Sequence, residues 1–559
     1  MMILGIDVGG THTDAVLIDH TGVLKKTKVP TDDGNLLSSL LAVTSALADG
    51  DMTGRMERVV LSSTLSTNAI VQNRVDRVGM MVISGPGIAP SALNIPQDTH
   101  FLSGYVNHRG AQVLDIDPAE AAQVCHRFRA EGIGQVGIVG KFSPRNPGHE
   151  LRLKAMVEPG VRHVTVGHRL SGHLNFPRRI ATAYLNEAVW NRYSGFVREV
   201  LRFIRERTPG IPVYILKADG GTFDIGQSLE FPVQTILSGP AASIMGILAL
   251  TNCSTDAIAL DIGGTTTDIS LFADGVPLFE PIGVTIEGHQ TLIRGLRTAS
   301  IGIGGDSAVR VRSGLLTIGP EREGPAAAFG GPLPTPTDAM VVLGLAAVGD
   351  PVRAAAALRP VSSALACPVE QAAEMIYRET CRRIAARIRD VIGEINDRPV
   401  YTIHEMLQDR RISPRHLYVV GGPAGSMAAE LGRLLGCEPH IPEHAEVANA
   451  VGAALARTTV ETTLLADTER GLLTVSEEGY QTRIPPRFSA ADAIRIGTDR
   501  LVEKALRMGT DPADTEIEVV EVQEFNMVRG FMTTGKNIRV KLQIKPGSIA
   551  GYSVGGAPC

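Results

Sequence analysis

The sequence predicts a duplicated α/β fold with one phosphate-facing hairpin in each half. Three observations carry that prediction. First, residues 3–19, ILGIDVGGTHTDAVLID, read as strand, turn, strand. An apolar run carries Asp7, breaks at Gly9-Gly10-Thr11, and resumes as Ala15-Val16-Leu17-Ile18. Second, residues 257–275, AIALDIGGTTTDISLFADG, repeat that pattern 254 positions later. Asp7 then aligns with Asp261, Gly9-Gly10-Thr11 with Gly263-Gly264-Thr265, and Thr13-Asp14 with Thr267-Asp268. Third, short apolar runs alternate with segments of helical spacing along most of the chain. A dinucleotide-binding turn does not explain the motif, because there the glycines open a helix, whereas Ala15 to Ile18 is β-prone.

In chain order, the first hairpin is followed by buried-strand candidates at residues 132–142 (GIGQVGIVGKF) and 212–222 (PVYILKADGGT). Between these two, residues 180–207 carry apolar side chains at helical spacing and stop at Thr208-Pro209-Gly210. Residues 236–243 (ILSGPAAS) and 449–456 (NAVGAALA) read as small-residue helix starts or faces, suited to close packing across a hinge or to ligand contact. Proline and glycine make residues 324–340 a loop of functional length. From Pro368 a long helix aligns Ile376, Ile384, Ile388, Val391, Ile392 and Ile395 on one side, and Asp397-Arg398-Pro399 closes it. A strand, a Gly421-Gly422 turn and a helix follow. The last region, from about Leu464, ends in β-strands around a Thr-Gly-Lys-Asn turn. The resulting division is 1–207, 208–463 and 464–559.

With 559 residues the chain needs more than one core. A net charge of −5 gives no electrostatic case for nucleic acid or an anionic membrane, and no apolar run reaches the length of a membrane span. The six cysteines are scattered without a Cys-x-x-Cys pair, and no basic stretch opens the chain; a cytoplasmic protein with reduced thiols is expected. No His-Glu-x-x-His spacing supports a transition-metal site.

The two hairpins suggest phosphate chemistry. Glycine lets the backbone approach an anion, and successive N–H groups in such a turn form an anion-binding concavity. Thr11, Thr13, Thr265, Thr266 and Thr267 offer hydroxyls. Asp7 and Asp261, at strand ends, could orient Mg²⁺, which keeps water and uses few carboxylates. Asp14 and Asp268 are placed to activate a water or a substrate hydroxyl. His12, inside the first turn, joins the phosphate-binding candidates. Gly421 and Gly422 suit a nucleoside-binding turn. Lys217 and Asp219 end a buried strand before a glycine turn, where ligand groups gather in open α/β sheets.

These residues resemble the sugar kinase–chaperone–actin superfamily of ATPases, and in detail the hydantoinase/oxoprolinase family of hydantoinase A type. The matching segments are GIDVGGTHTDAVLID, STLSTNAIVQNRVDRVGMM, KADGGTFDI, VQTILSGPAAS, ALDIGGTTTDISL, IGIGGDS, GPAAAFGGPLPTPTDA and SPRHLYVVGGPAG, in the family's order across roughly residues 3 to 460. The resemblance implies duplicated ribonuclease-H-like, actin-like ATPase domains around a nucleotide cleft, plus a small C-terminal α+β region. It implies ATP and Mg²⁺ held by Asp7, Gly9, Gly10, Thr11 and Thr13 with Asp261, Gly263, Gly264, Thr265 and Thr266, with Gly421 and Gly422 near the adenosine. Gly304 and Gly305 stand in the family's glycine-rich loop, and Asp306 there, with Lys217 and Asp219, becomes a substrate candidate. The implied activity is ATP-dependent opening of a cyclic amide such as a hydantoin or 5-oxoproline, in an oligomer with a hydantoinase B-like subunit. A nucleotide-gated activating ATPase and an acetone-type carboxylase subunit are the alternatives. The chain departs from the family at Leu61-Ser62-Ser63, at Asp306, at Pro325-Ala326-Ala327-Ala328, where a cysteine is usual, and in its last hundred residues.

Overall fold

The computed structural model describes residues 2–32, 36–47, 56–93, 96, 98–207, 210–397, 411–510, 514–552 and 554. Two sheets repeat one plan. The first runs in the order Thr222–Asp224, Val213–Leu216, Met56–Ser63, Met2–Val8, His12–Asp19, Gly22–Pro30. At its centre the Met2–Val8/His12–Asp19 hairpin is antiparallel, and Met56–Ser63 adds to the hairpin in parallel. The second runs Val276–Pro277, Thr267–Ala273, Ala257–Ile262, His416–Val420, Glu438–His440, with Thr298–Ile301 also on Thr267–Ala273. Its hairpin is again antiparallel and its next strand parallel. The near-continuous apolar runs follow from this position, since the central strands are covered on both faces. Val213–Leu216 and Thr222–Asp224 complete the first sheet although they come late in the chain.

Helix Phe176–Arg207 lays Tyr193, Phe196, Val197 and Val200 against the first sheet. Helix Val369–Asn396 does the same for the second with Ile376, Ile384, Ile388 and Val391, while Ile392 and Ile395 pack at its edge. Between the sheets lie two short, small-residue helices, Ser238–Leu250 and Ala448–Leu455. They share one core with Ile3, Val16 and Val60 of the first sheet and Ala257, Ala259 and Val420 of the second. A four-stranded parallel sheet, ordered His163–Val166, Gln135–Gly140, Val78–Ile83, Thr99–Phe101, extends the N-terminal part. The C-terminal part is a five-stranded antiparallel sheet covered by helix Ala490–Arg507.

Three expectations change. Residues 324–340 are not all loop: Thr335 and Asp338 form a reciprocal cap that starts helix Pro336–Val342. The C-terminal hairpin turns between Ile517–Arg529 and Met532–Ile544, at Gly530-Phe531, not at Thr-Gly-Lys-Asn. Gly530 takes a φ of +62°, while Gly535 is absorbed inside the strand beside a register shift. The long helix expected from Ile180 begins four residues earlier, at Phe176. Thr208, Pro209, Arg398, Pro399 and Cys559 lie outside the described residues. Among the described residues, five cysteines are free and no helix is long and apolar enough to cross a membrane.

Candidate functional site

Both Gly-Gly-Thr turns close in the same way. The Gly9 N–H donates to the His12 carbonyl at 3.1 Å, and the Gly263 N–H donates to the Thr266 carbonyl at 2.9 Å. In each hairpin the register sets acid opposite acid, Asp7 across from Asp14 and Asp261 across from Asp268. A Cβ on Gly9 would lie 2.9 Å from the His12 carbonyl oxygen, so the turn needs the missing side chain.

Asp7 and Asp14 are buried, whereas Asp261 and Asp268 are half-buried. Burial pushes Asp7 up to about 6, with the Asp261 charge adding to the rise and a Ser62 hydrogen bond opposing it. Burial raises Asp14 to about 7 against the Lys28 ammonium, which sits 2.7 Å from Oδ2. Desolvation takes Asp268 to about 6, partly offset by its bond from Ser300. Asp7 Oδ1 and Asp14 Oδ1 are buried and have no hydrogen-bond partner among the described residues. An oxygen-only donor set with two such atoms has the chemistry a hard divalent cation such as Mg²⁺ takes.

The supporting residues come from distant segments. Ser243 and Asn449, one on each small-residue helix, both donate to Asp261 Oδ2, at 2.5 Å and 3.2 Å. Asn449 also opposes the rise in the Asp7 pKa. The two stretches therefore pack and polarise the site at once. Ser62, notable in the sequence only as a departure from the family, lies level with Asp7 in the parallel register.

The glycine loop at 304–306 seats on the second turn. The Gly305 N–H donates to the Gly263 carbonyl at 2.9 Å and the Asp306 N–H to the Gly264 carbonyl at 2.7 Å. A Cβ on Gly304 would lie 2.5 Å from the Gly263 oxygen. Thr337, at the start of helix Pro336–Val342, donates both its N–H and its hydroxyl to the Gly305 carbonyl. Gly421, at φ +95°, would put a Cβ 2.3 Å from the Ile262 carbonyl oxygen and 2.8 Å from Asp261 Oδ1. The turn at Gly421-Gly422 thus lies against the acid at the end of the neighbouring strand.

Several candidates change place. Thr13 and Thr267 are fully buried and point away from the turn surfaces. Thr13 bonds Thr31 at 2.9 Å and Thr267 donates to the Ile303 carbonyl at 2.7 Å, so they brace the turns, while Thr11, Thr265 and Thr266 stay accessible. His12 is held below the usual imidazole range by loss of solvent and the Lys28 charge, opposed by Asp306. That influence places the first turn within electrostatic reach of the loop on the second. Asp306 sits beside Gly264 and pairs with Arg322 at 3.3 Å, which puts it against the second Gly-Gly-Thr turn.

Lys217 and Asp219 stand elsewhere. They line a cavity of about 570 Å³ whose walls include Arg294, Thr459, Glu477, Arg500 and Lys504 but none of the Gly-Gly-Thr turn residues. Lys217 donates to the Thr459 carbonyl at 2.7 Å and burial lowers its pKa, while Asp219 accepts from the Gly221 N–H and from Thr459. Sequence reasoning missed Ser62, Ser243, Asn449, Lys28 and Thr337. Each acts through a fold contact rather than through the spacing of a motif.

A family model described as hydantoinase/oxoprolinase matches residues 179–462, and one for the hydantoinase/oxoprolinase N-terminal region matches residues 3–159. Caprolactamase subunit alpha of Pseudomonas jessenii is 26% identical over 62% of this chain and 55% of its own length. Acetophenone carboxylase gamma subunit of Aromatoleum aromaticum is 24% identical over 61% of this chain and 53% of its own. The chain spans about half the length of these relatives. Among solved structures, nucleotide-free acetone carboxylase aligns with a TM-score of 0.73 at 17% identity, covering 99% of this chain and 88% of that one. The ATP-dependent caprolactamase of Pseudomonas jessenii aligns at 0.70 and 21% identity, covering 97% and 87%. At these identities the likeness is one of fold.

Proposed function

The chain belongs to the hydantoinase/oxoprolinase family, and we propose that it is the ATP-using part of an enzyme that opens a cyclic amide. The observation that carries the reading is the pair of like hairpins whose acids are close enough for Asp261 to raise the pKa of Asp7. In this reading the backbone amides of Gly9, Gly10, Gly263 and Gly264 meet phosphoryl oxygens, and Thr11, Thr265 and Thr266 donate hydroxyls. His12, Gly304 and Gly305 complete the cradle. Asp7 and Asp261 would hold Mg²⁺, which when bound offsets phosphate charge and fixes the phosphate's orientation. Gly421 and Gly422 line the nucleoside end. Asp14 and Asp268, titrating near neutrality, can take a proton from water.

An amide resists water because its nitrogen leaves poorly; a phosphoryl group on the carbonyl oxygen makes the carbon electrophilic, and water can then open the ring. The polar cavity around Lys217 and Asp219 is a place for a small polar substrate. The chain's parts would be 1–207, 208–463 and 464–559, with residues 213–224 returning to the first sheet. A hydantoinase B-like subunit would complete the oligomer. Supporting that partner, the related caprolactamase chain is itself a subunit. The C-terminal hairpin also exposes Val522, Phe525, Val528, Phe531 and Met532 on an edge that a second subunit could cover.

The test incubates the purified chain, with and without such a subunit, with ATP, Mg²⁺ and a panel of lactams, hydantoins and 5-oxoproline. ADP release should match ring-opened product for at least one of them. No coupling across the panel overturns the reading. Turnover that instead requires bicarbonate and a ketone would make the chain a carboxylase subunit.

A further inference from the structure

His416, Glu438 and His440 meet at the edge of the second sheet, away from the acids of the cleft. Strand His416–Val420 pairs in parallel with Glu438–His440, with His416 level with Glu438 and Tyr418 level with His440. Side chains two residues apart on a strand share a face, so Glu438 and His440 project together and the register sets His416 beside them. His416 Nδ1 lies 2.9 Å from His440 Nε2. Glu438 Oε2 lies 3.6 Å from the first nitrogen and 3.9 Å from the second.

Those three edges define a triangle whose equidistant point lies about 2.0 Å from each atom. Zinc bonds imidazole nitrogen at about 2.0–2.1 Å and carboxylate oxygen at about 2.0–2.2 Å. The donor atoms thus stand close to ligand spacing: the two imidazole nitrogens, hydrogen-bonded to each other at 2.9 Å, need to open by about half an ångström for the ion to replace that bond in a tetrahedral arrangement. The Tyr418 ring stacks on His440 with centroids 5.1 Å apart, which fixes the plane of that imidazole. Among the described residues no lysine or arginine forms an ion pair with Glu438, so its carboxylate is not committed to another cation.

We propose that His416 Nδ1, His440 Nε2 and Glu438 Oε2 form a binding site for one borderline divalent transition-metal ion, Zn²⁺ being the occupant that the geometry fits. The fourth position is open to water. Mixed nitrogen and oxygen donors separate this site from the all-oxygen cleft, which suits Mg²⁺. An ion here clips the edge strand to the strand that runs directly into the Gly421-Gly422 turn, so it stiffens the mount of that turn without touching the phosphate cradle.

The test is a Co²⁺ titration of the whole chain in excess Mg²⁺, followed by displacement with Zn²⁺. One equivalent of Co²⁺ should bind at micromolar concentration, give visible d–d absorption, and be released by Zn²⁺. His416→Ala/His440→Ala should abolish the absorption and weaken Zn²⁺ binding by about a hundredfold or more, since loss of an outer hydrogen-bond partner alone costs 10–100-fold. Glu438→Gln leaves both imidazoles and both strands in place; it should weaken Zn²⁺ binding and alter the band shape, and it carries the test if the double variant does not fold. No uptake by the wild-type chain, uptake unchanged in the double variant, or binding unchanged in Glu438→Gln each overturns the proposal.

Discussion

Asp14 shows at the residue scale how burial competes with charge. Its carboxyl is pushed to about 7 by desolvation, although the Lys28 ammonium touches it. A folded pKa above the ordinary value of 3.8 means the fold favours the protonated form. Its contribution to stability is then fully present below about pH 4 and is lost as pH rises through about 7. In Mg²⁺-free buffer, Asp14→Asn should therefore flatten the decline in stability between pH 4 and 8, as read by denaturant melts; superimposable profiles would contradict the assignment. Gly421 gives a second residue-scale prediction. Ala there must hold a φ near +95° and place its Cβ against the Ile262 carbonyl and Asp261. Gly421→Ala should cost about 1–3 kcal/mol of stability and weaken nucleotide binding by calorimetry, because the Cβ would press on the Ile262 carbonyl and on Asp261 Oδ1 behind it. That glycine was legible in the sequence as part of a turn. Its contact with the acid was not, because 160 residues separate the two.

At the element scale, the pair of helices Ser238–Leu250 and Ala448–Leu455 joins the two halves. Their approach depends on small residues: a Cβ on Gly452 would lie 2.1 Å from the Ala242 carbonyl, and one on Gly246 would lie 2.2 Å from that of Ala448. A backbone this close cannot yield to a branched side chain. Gly452→Val should lower stability by about 1–3 kcal/mol or more and also disturb Asp261, since Ser243 and Asn449 ride on these helices. A loss of stability with unchanged Mg·ATP affinity would separate packing from the site and count against that coupling. The sequence marked both stretches as small-residue helices without deciding between packing and ligand contact. The structure shows the packing, and it adds that Ser243 and Asn449, on the same helices, reach Asp261.

At the scale of the whole molecule, a cleft that holds Mg·ATP should stabilise the fold by mass action, by about 2.7 kcal/mol at a hundredfold excess over Kd. The melting temperature of the wild-type chain should rise accordingly, and the rise should vanish in Asp7→Ala and in Asp261→Ala; retention in both variants would refute the nucleotide site. The sequence by itself determined the duplication, the two hairpins and the residues of both turns, because a strand interrupted by an acid and two glycines is a local pattern, and its repetition at 254 positions is visible without coordinates. Only the tertiary structure decided which threonines face outward. Thr13 and Thr267 share the motif with Thr11 and Thr265, yet they stand in the second strand of each hairpin, where Thr31 and the Ile303 carbonyl hold them inward, while Thr11 and Thr265 lie in the turns. It also decided that Lys217 and Asp219 line a separate cavity, that Asp306 lies against the second Gly-Gly-Thr turn, and that His416 meets Glu438 and His440 across two strands. Each of these rests on register and packing between segments far apart in the chain, and such contacts leave no periodicity for a sequence to display.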